Sequence, residues 1–149
     1  MGFKSLLENY LNNVSYLMHL QKRVFLICPV RFATDEEAKL LEDYVSKLES
    51  QRYEVHYPKR DTNQEDSTGG YQICRDNCKA IKKAHEIHIY WNETSQGSLF
   101  DLGVAFNEHK TKKKSIKLVN RKTVEEMVKK ENKPKSFQHV LLKLDDLAK

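Results

Sequence analysis

The chain has 149 residues, of which 39% are hydrophobic and 32% charged, with a formal net charge of +5. That length fits one domain able to bury its own core, and the composition is that of a soluble protein whose helices carry charged outer faces. The longest apolar run, Val24 to Val30, is far short of the roughly 20 residues that cross a bilayer, so no membrane span is expected.

Leu6, Leu7, Tyr10, Leu11, Val14, Leu17 and Met18 recur at helical spacing and predict an opening amphipathic helix, whose apolar stripe needs a partner surface in its own domain or in a second subunit. Lys4, Glu8, Asn12, Asn13 and His19 interrupt that stretch, so it lacks the continuous apolar core of a secretory signal, and a cytoplasmic location is expected. Val24 to Val30 reads as a strand covered on both faces. Thr34-Asp35-Glu36-Glu37 fits a capping box, predicting a helix to about Ser50 with Ala38, Leu41, Tyr44, Val45 and Leu48 facing inward. Tyr53 to Tyr57 alternates as a second strand ended by Pro58.

Lys59 to Gly70 is polar, carries Asp61, Glu65 and Asp66, and closes with Gly69-Gly70, which predicts a long mobile loop. Ile73, Asn77, Ala80, Ile81 and Ala84 outline the next helix, followed by a strand from about Glu86 to Trp91. Ser95-Gln96-Gly97-Ser98 turns into a helix with Leu99, Leu102, Ala105 and Phe106 expected inside, and Ser115 to Val119 is the fourth strand. Thr123 to Lys130 reads as a short helix, and Ser136 to Ala148 as a final one with Phe137, Val140, Leu141 and Leu144 inward. This alternation of strands and helices predicts an α/β fold, a Rossmann/flavodoxin-like three-layer domain with a four- to five-stranded, mostly parallel sheet. The expected organisation is one domain over 1–149, with an additional N-terminal helix in 1–21 and the α/β core in 22–149.

Cys28, Cys74 and Cys78 are odd in number, and a reducing compartment keeps them as thiols. Cys74 and Cys78 share a helix face and suggest a metal site with His85 or His88, but metal ligands come mostly as pairs from two loops, so ordinary packing is the expected role and no metal or cofactor is assigned. Lys110, Lys112, Lys113, Lys114 and the stretch Lys129 to Lys135 hold much of the positive charge and read as solvated helix ends. Without an aromatic RNA-binding signature, zinc-finger spacing or helix-turn-helix, nucleic acid is not an expected partner.

In parallel α/β sheets ligands bind beyond the carboxyl ends of the strands. Three segments meet that condition: Cys28 to Thr34, Asp61 to Asp76, and Asn92 to Asp101. In the third, Ser95, Gly97 and Ser98 open a helix whose free N–H groups and dipole suit a phosphate or carboxylate, and Asp101 lies one turn in. An acid in a first turn is also what any helix prefers. His56, His85 and His88 read as structural rather than catalytic; Phe32, Tyr90 and Trp91 read as core aromatics or as stacking partners for a base.

The stretch Ser95-Gln96-Gly97-Ser98-Leu99-Phe100-Asp101-Leu102-Gly103-Val104-Ala105 resembles the signature of the nucleoside 2-deoxyribosyltransferase-like family, which includes deoxyribonucleotide N-glycoside hydrolases. The family pattern is Ser-x-Gly-[Ser/Thr]-x-x-Glu-[Leu/Ile]-Gly-x-Ala. Phe25 to Arg31 is similar to the family's opening strand, whose loop holds the 5′ side of a nucleotide, and the resemblance runs from about Val24 to Val119.

The resemblance implies that Ser95 and the amides around Gly97 and Ser98 hold a 5′-phosphate, that Arg31 is a phosphate-binding arginine, and that Cys28, Pro29 and Asn92 line the substrate site. It puts Asp101 where the family has its nucleophilic glutamate, which attacks C1′, displaces the base and forms a glycosyl-enzyme ester. Asp76 is the implied second catalytic acid, although its spacing to the third strand is off by one, and His85 stands where the family has an aspartate. Aspartate is one methylene shorter than glutamate, leaving its oxygens on the order of 1–1.5 Å further from C1′, and a displacement of about 1 Å can cost roughly 10²-fold in rate. The implied activity is nucleoside or nucleotide N-glycosidase or 2-deoxyribosyltransferase, in a homodimer or higher oligomer, on a nucleoside or nucleoside monophosphate. The alternative is a non-catalytic nucleotide-binding or sensing domain of the same fold; a third reading, an interaction module working through the basic tail, predicts strongly salt-dependent nucleic-acid binding.

Overall fold

A computed structural model describes residues 2–149, without the side chains of residues 18–20, so the Met18 side chain of the predicted apolar stripe lies outside what is described. Four strands, β1 (Arg23–Ile27), β2 (Glu54–His56), β3 (Glu86–Ile89) and β4 (Ser115–Leu118), form one sheet in the order β2-β1-β3-β4. All three pairings are parallel, with Val24 opposite Val55, Leu26 opposite His88 and Ile87 opposite Ile116. Helices flank this sheet: the architecture is α/β and flavodoxin-like, with four strands among the described residues.

The apolar run after Arg23 alternates between two layers. Val24, Leu26 and Cys28 pack with Leu41, Val45 and Leu48 of α2 (Asp35–Ser50), whereas Phe25 and Ile27 join a larger cluster with Ile81 of α4 (Tyr71–Lys83) and Leu102 and Ala105 of α5 (Gln96–Lys112). Helices α6 (Arg121–Glu131) and α7 (Phe137–Leu147) contribute Val124, Leu141 and Leu144 to the second cluster. Helix α2 starts as its sequence dictates, with Thr34 Oγ1 accepting from Glu37 N and Glu37 Oε2 accepting from Thr34 N.

Several elements differ from the sequence reading. Strand β2 is shorter than Tyr53 to Tyr57, because Arg52 turns at φ 66° before it and Pro58 starts the helical turn α3 (Pro58–Asp61) after it. Strand β3 stops before Trp91, whose backbone N–H and carbonyl both pair with the side-chain amide of Asn120. Residues 59–70 are not wholly loop: after α3, Thr62 is buried. Asp66 then accepts from the N–H groups of Thr68 and Ile73, and Gly69 and Gly70, at φ 73° and 104°, make the left-handed turn into α4 that side-chain-bearing residues resist.

The inner face of α5 is rotated from the one the apolar residues outlined. Ser98, Asp101, Leu102, Ala105 and Glu108 are buried while Leu99 and Phe106 are exposed. Helix α7 likewise buries Gln138, Leu141, Leu144 and Asp145 and exposes Phe137 and Val140. Polar partners from other elements account for this: Lys114 pairs with Glu108, and Asp145 takes the Leu118 N–H at 2.9 Å and Arg121 at 2.6 Å.

On the opening helix, α1 (Phe3–Leu20), Phe3 is 84% exposed, and Leu6, Leu7, Tyr10, Leu11, Tyr16 and Leu17 are exposed with it. Val14 and Leu17 line a cavity of about 690 Å³ between α1 and the end of α2.

Candidate functional site

From β1 the chain first builds β2 on one side, then crosses to lay β3 on the other. The strand order therefore switches between β1 and β3, and the crevice beyond their carboxyl ends is where such sheets take ligands. The turn after β1, the segment after β3 and the first turn of α5 border it. Glu37 ties them, since its Oε1 accepts from Asn92 Nδ2 at 3.3 Å and from the Tyr90 hydroxyl at 3.5 Å while Oε2 caps α2.

Asp101 is the carboxylate of this region, and it is only 6% exposed. Its Oδ2 accepts from Asn77 Nδ2 of α4 at 3.1 Å. Burial, only partly offset by that hydrogen bond, raises its pKa from the usual 3.8 to about 7. Cys28, at the end of β1, and Cys74, on α4, both feel the Asp101 charge; burial together with that charge pushes the Cys28 thiol up to about 12. Tyr57, which follows β2, is raised to about 12 by burial and then by its neighbours Cys28 and Glu42.

The hydrogen bonds continue away from Asp101. Asn77 Oδ1 accepts from Thr62 Oγ1 at 2.7 Å, and Thr62 Oγ1 lies 2.8 Å from His56 Nε2. His56 stacks on Phe25 with ring centroids 5.0 Å apart, and burial lowers its pKa.

Ser95 is the N-cap of α5, its hydroxyl accepting from Ser98 N and donating to Ser98 Oγ. Gly97 is exposed in the first turn, whereas Ser98 is 1% exposed, which leaves Ser95 and the backbone of the first turn as the accessible part of that helix start. Pro29 is buried beside Cys28, and Arg31 is exposed two residues on. Asn92 is used within the loop: its Oδ1 accepts from the N–H and hydroxyl of Thr94 while its Nδ2 reaches Glu37.

Asp76 is not brought to Asp101. It pairs with Arg75 at 3.3 Å and lines a groove beside Arg23 and Lys79, because a step of one residue turns a helix by about 100° and points Asn77 inward instead. Asn77, Thr62 and His56 are the residues that sequence reasoning left without a site role. A polar Asn77 within the apolar stripe Ile73, Ala80, Ile81 was the signal for the first; nothing local announced the other two.

His85 Nδ1 accepts from Arg23 N at 2.9 Å, and His88 is buried between the Tyr44 hydroxyl at 2.7 Å and Glu86 at 3.2 Å. Phe32 is exposed, while Trp91 is buried in the larger cluster. Cys74 and Cys78 are half-buried thiols, and no cluster of three or more metal-ligating side chains occurs among the described residues. Among those residues no helix is long and apolar enough to cross a membrane.

The fold is a flavodoxin-like α/β domain with a buried carboxylate, Asp101, near the end of β1, where the strand order switches. No family model and no curated protein matches the chain. Among solved structures it is similar to the 2-deoxyribosyltransferase of the psychrotolerant bacterium Bacillus psychrosaccharolyticus, a biocatalyst for nucleoside synthesis, with a TM-score of 0.53 and 19% identity over 64% of this chain and 70% of that one. At that identity the two share a fold.

Proposed function

We propose that the protein is a nucleoside or nucleotide N-glycosidase or 2-deoxyribosyltransferase in which Asp101 is the nucleophile. The observation that carries the reading is a buried carboxylate, aimed by an amide N–H, at the switch point of a fold shared with a 2-deoxyribosyltransferase. Buried carboxylates with strongly shifted pKa values cluster at functional sites. In its ionised form Asp101 attacks C1′ through an oxocarbenium-like transition state. The C1′–N bond breaks, the base leaves with its electron pair and takes a proton from water, and the resulting ester is resolved by water or a second base, which bonds to C1′ and frees the Asp101 carboxylate. The Gln96 and Gly97 N–H groups and Arg31 offer the anion contacts for a 5′-phosphate, joined by Ser95 once its hydroxyl proton leaves Ser98 Oγ, with the buried Cys28 and Pro29 behind them.

Two features favour a second reading, a nucleotide-binding domain without turnover: burial raises the Asp101 pKa to about 7, which disfavours the ionised nucleophile, and aspartate is a methylene shorter than the glutamate of the resembled family. Incubation with a panel of nucleosides, deoxynucleosides and their monophosphates, followed by detection of free base, separates the two. Base release that disappears in Asp101→Asn supports the enzyme; saturable binding without release supports the binding domain.

A further inference from the structure

Four polar side chains make one hydrogen-bonded line running from His56 through Thr62 and Asn77 to Asp101. An amide oxygen only accepts, so the Thr62 hydroxyl proton is committed to Asn77 Oδ1, and His56 must donate to Thr62 from Nε2. All three bonds therefore point the same way, toward the carboxylate. Thr62 and Asn77 are both buried, so neither exchanges its partner for water without cost.

Only one other polarity satisfies every member. With the Asn77 amide turned over, its carbonyl meets an Asp101 that must carry a proton, its nitrogen donates to Thr62, and Thr62 donates to a His56 whose Nε2 is bare. A positively charged His56, which donates from both nitrogens, fits the first arrangement alone.

We propose that Thr62, itself held by His56, is a positioning residue that fixes the Asn77 amide with its NH₂ group toward the Asp101 carboxylate. For catalysis the consequence rests on Asp101 being the nucleophile; the hydrogen-bonded line does not. The groups facing Asp101 are Cys28 from the end of β1 and Cys74 and Asn77 from α4. Those facing His56 are Phe25 of β1 and Arg60 and Asp61 of α3. His56 also lines a groove of about 240 Å³ whose charged residues are Arg23, Glu54, Asp76, Lys79 and Lys83.

The test reads the Asp101 titration itself, by carbon NMR of the full chain labelled at aspartate carboxyls, with the Asp101 signal assigned by its loss in Asp101→Asn. Thr62→Val frees the Asn77 amide to turn over, and the Asp101 midpoint rises by about one pH unit. Thr62→Ser, which keeps the hydroxyl, restores the original midpoint. His56→Phe keeps the ring stack on Phe25 and removes the donor to Thr62, so a smaller rise is expected; it carries the test if Thr62→Val does not fold. An unmoved midpoint in a folded Thr62→Val, or in His56→Phe when that variant stands in, overturns the assignment. Base release is measured alongside: a moved midpoint in a protein that cleaves no nucleoside supports the positioning role and removes the enzyme reading, whereas cleavage with an unmoved midpoint removes the positioning role alone.

Discussion

Replacing Asp101 by asparagine exposes what this carboxylate costs the fold. An unfolded aspartate ionises near 3.8, whereas in the folded protein Asp101 does so at about 7. Below pH 3.8 both states carry the proton and the group is neutral toward stability. Between the two values the unfolded chain releases a proton that the folded chain retains, so the stability due to this group falls as pH rises and levels off above 7. About three pH units at roughly 1.4 kcal/mol each gives a penalty of about 4 kcal/mol at pH 8.

Asparagine keeps an oxygen to accept from Asn77 Nδ2 and never ionises, so Asp101→Asn escapes that penalty. In a chain of this size each kcal/mol moves Tm by about 2–4 °C. Melts followed by circular dichroism at pH 4.5, 6, 7 and 8 should show the variant gaining on the parent as pH rises, to about 10 °C at pH 8. A gap of the same size at every pH refutes the reasoning, since a gain from packing alone has no proton linkage.

Three further outcomes are expected. Base release by the unaltered protein rises between pH 5 and 8 with a midpoint near 7, following the ionised fraction of Asp101; a maximum near pH 5 contradicts Asp101 as nucleophile. On treatment with iodoacetamide at pH 8, mass spectrometry finds Cys28 the last of the three thiols to be alkylated, because it is buried and its pKa is pushed up to about 12. Asp145→Ala leaves the Leu118 N–H without its acceptor and takes one carboxylate from Arg121, at a cost of about 2–4 kcal/mol by urea unfolding.

The parts of the fold that were legible are those fixed by local chemistry. The run Val24–Val30 is continuous because β1 is covered on both faces, and the Thr34 to Glu37 spacing makes a capping box that forms as written. What was not legible depends on residues distant in the chain. Leu99 and Phe106 looked like the inner face of α5 because they are apolar, yet Asn77 and Lys114 give Asp101 and Glu108 the partners that let polar groups occupy it. The same long-range pairing hid the site's supporting residues. The resemblance implied Asp76 as the acid, with its spacing off by one; helical geometry gives the inward position to Asn77, and the role of Thr62 exists only because α3 returns the chain beneath α4. Asp101 itself was singled out from its motif, whereas the depth of its burial required the packed structure.

The two margins of the sheet are unequal. Helix α7 seals the β4 side with the Asp145 carboxylate on Leu118 N–H. The β2 side ends after three residues, between a left-handed Arg52 and a proline. So short a ribbon has few spare amides with which to template the strand of another chain.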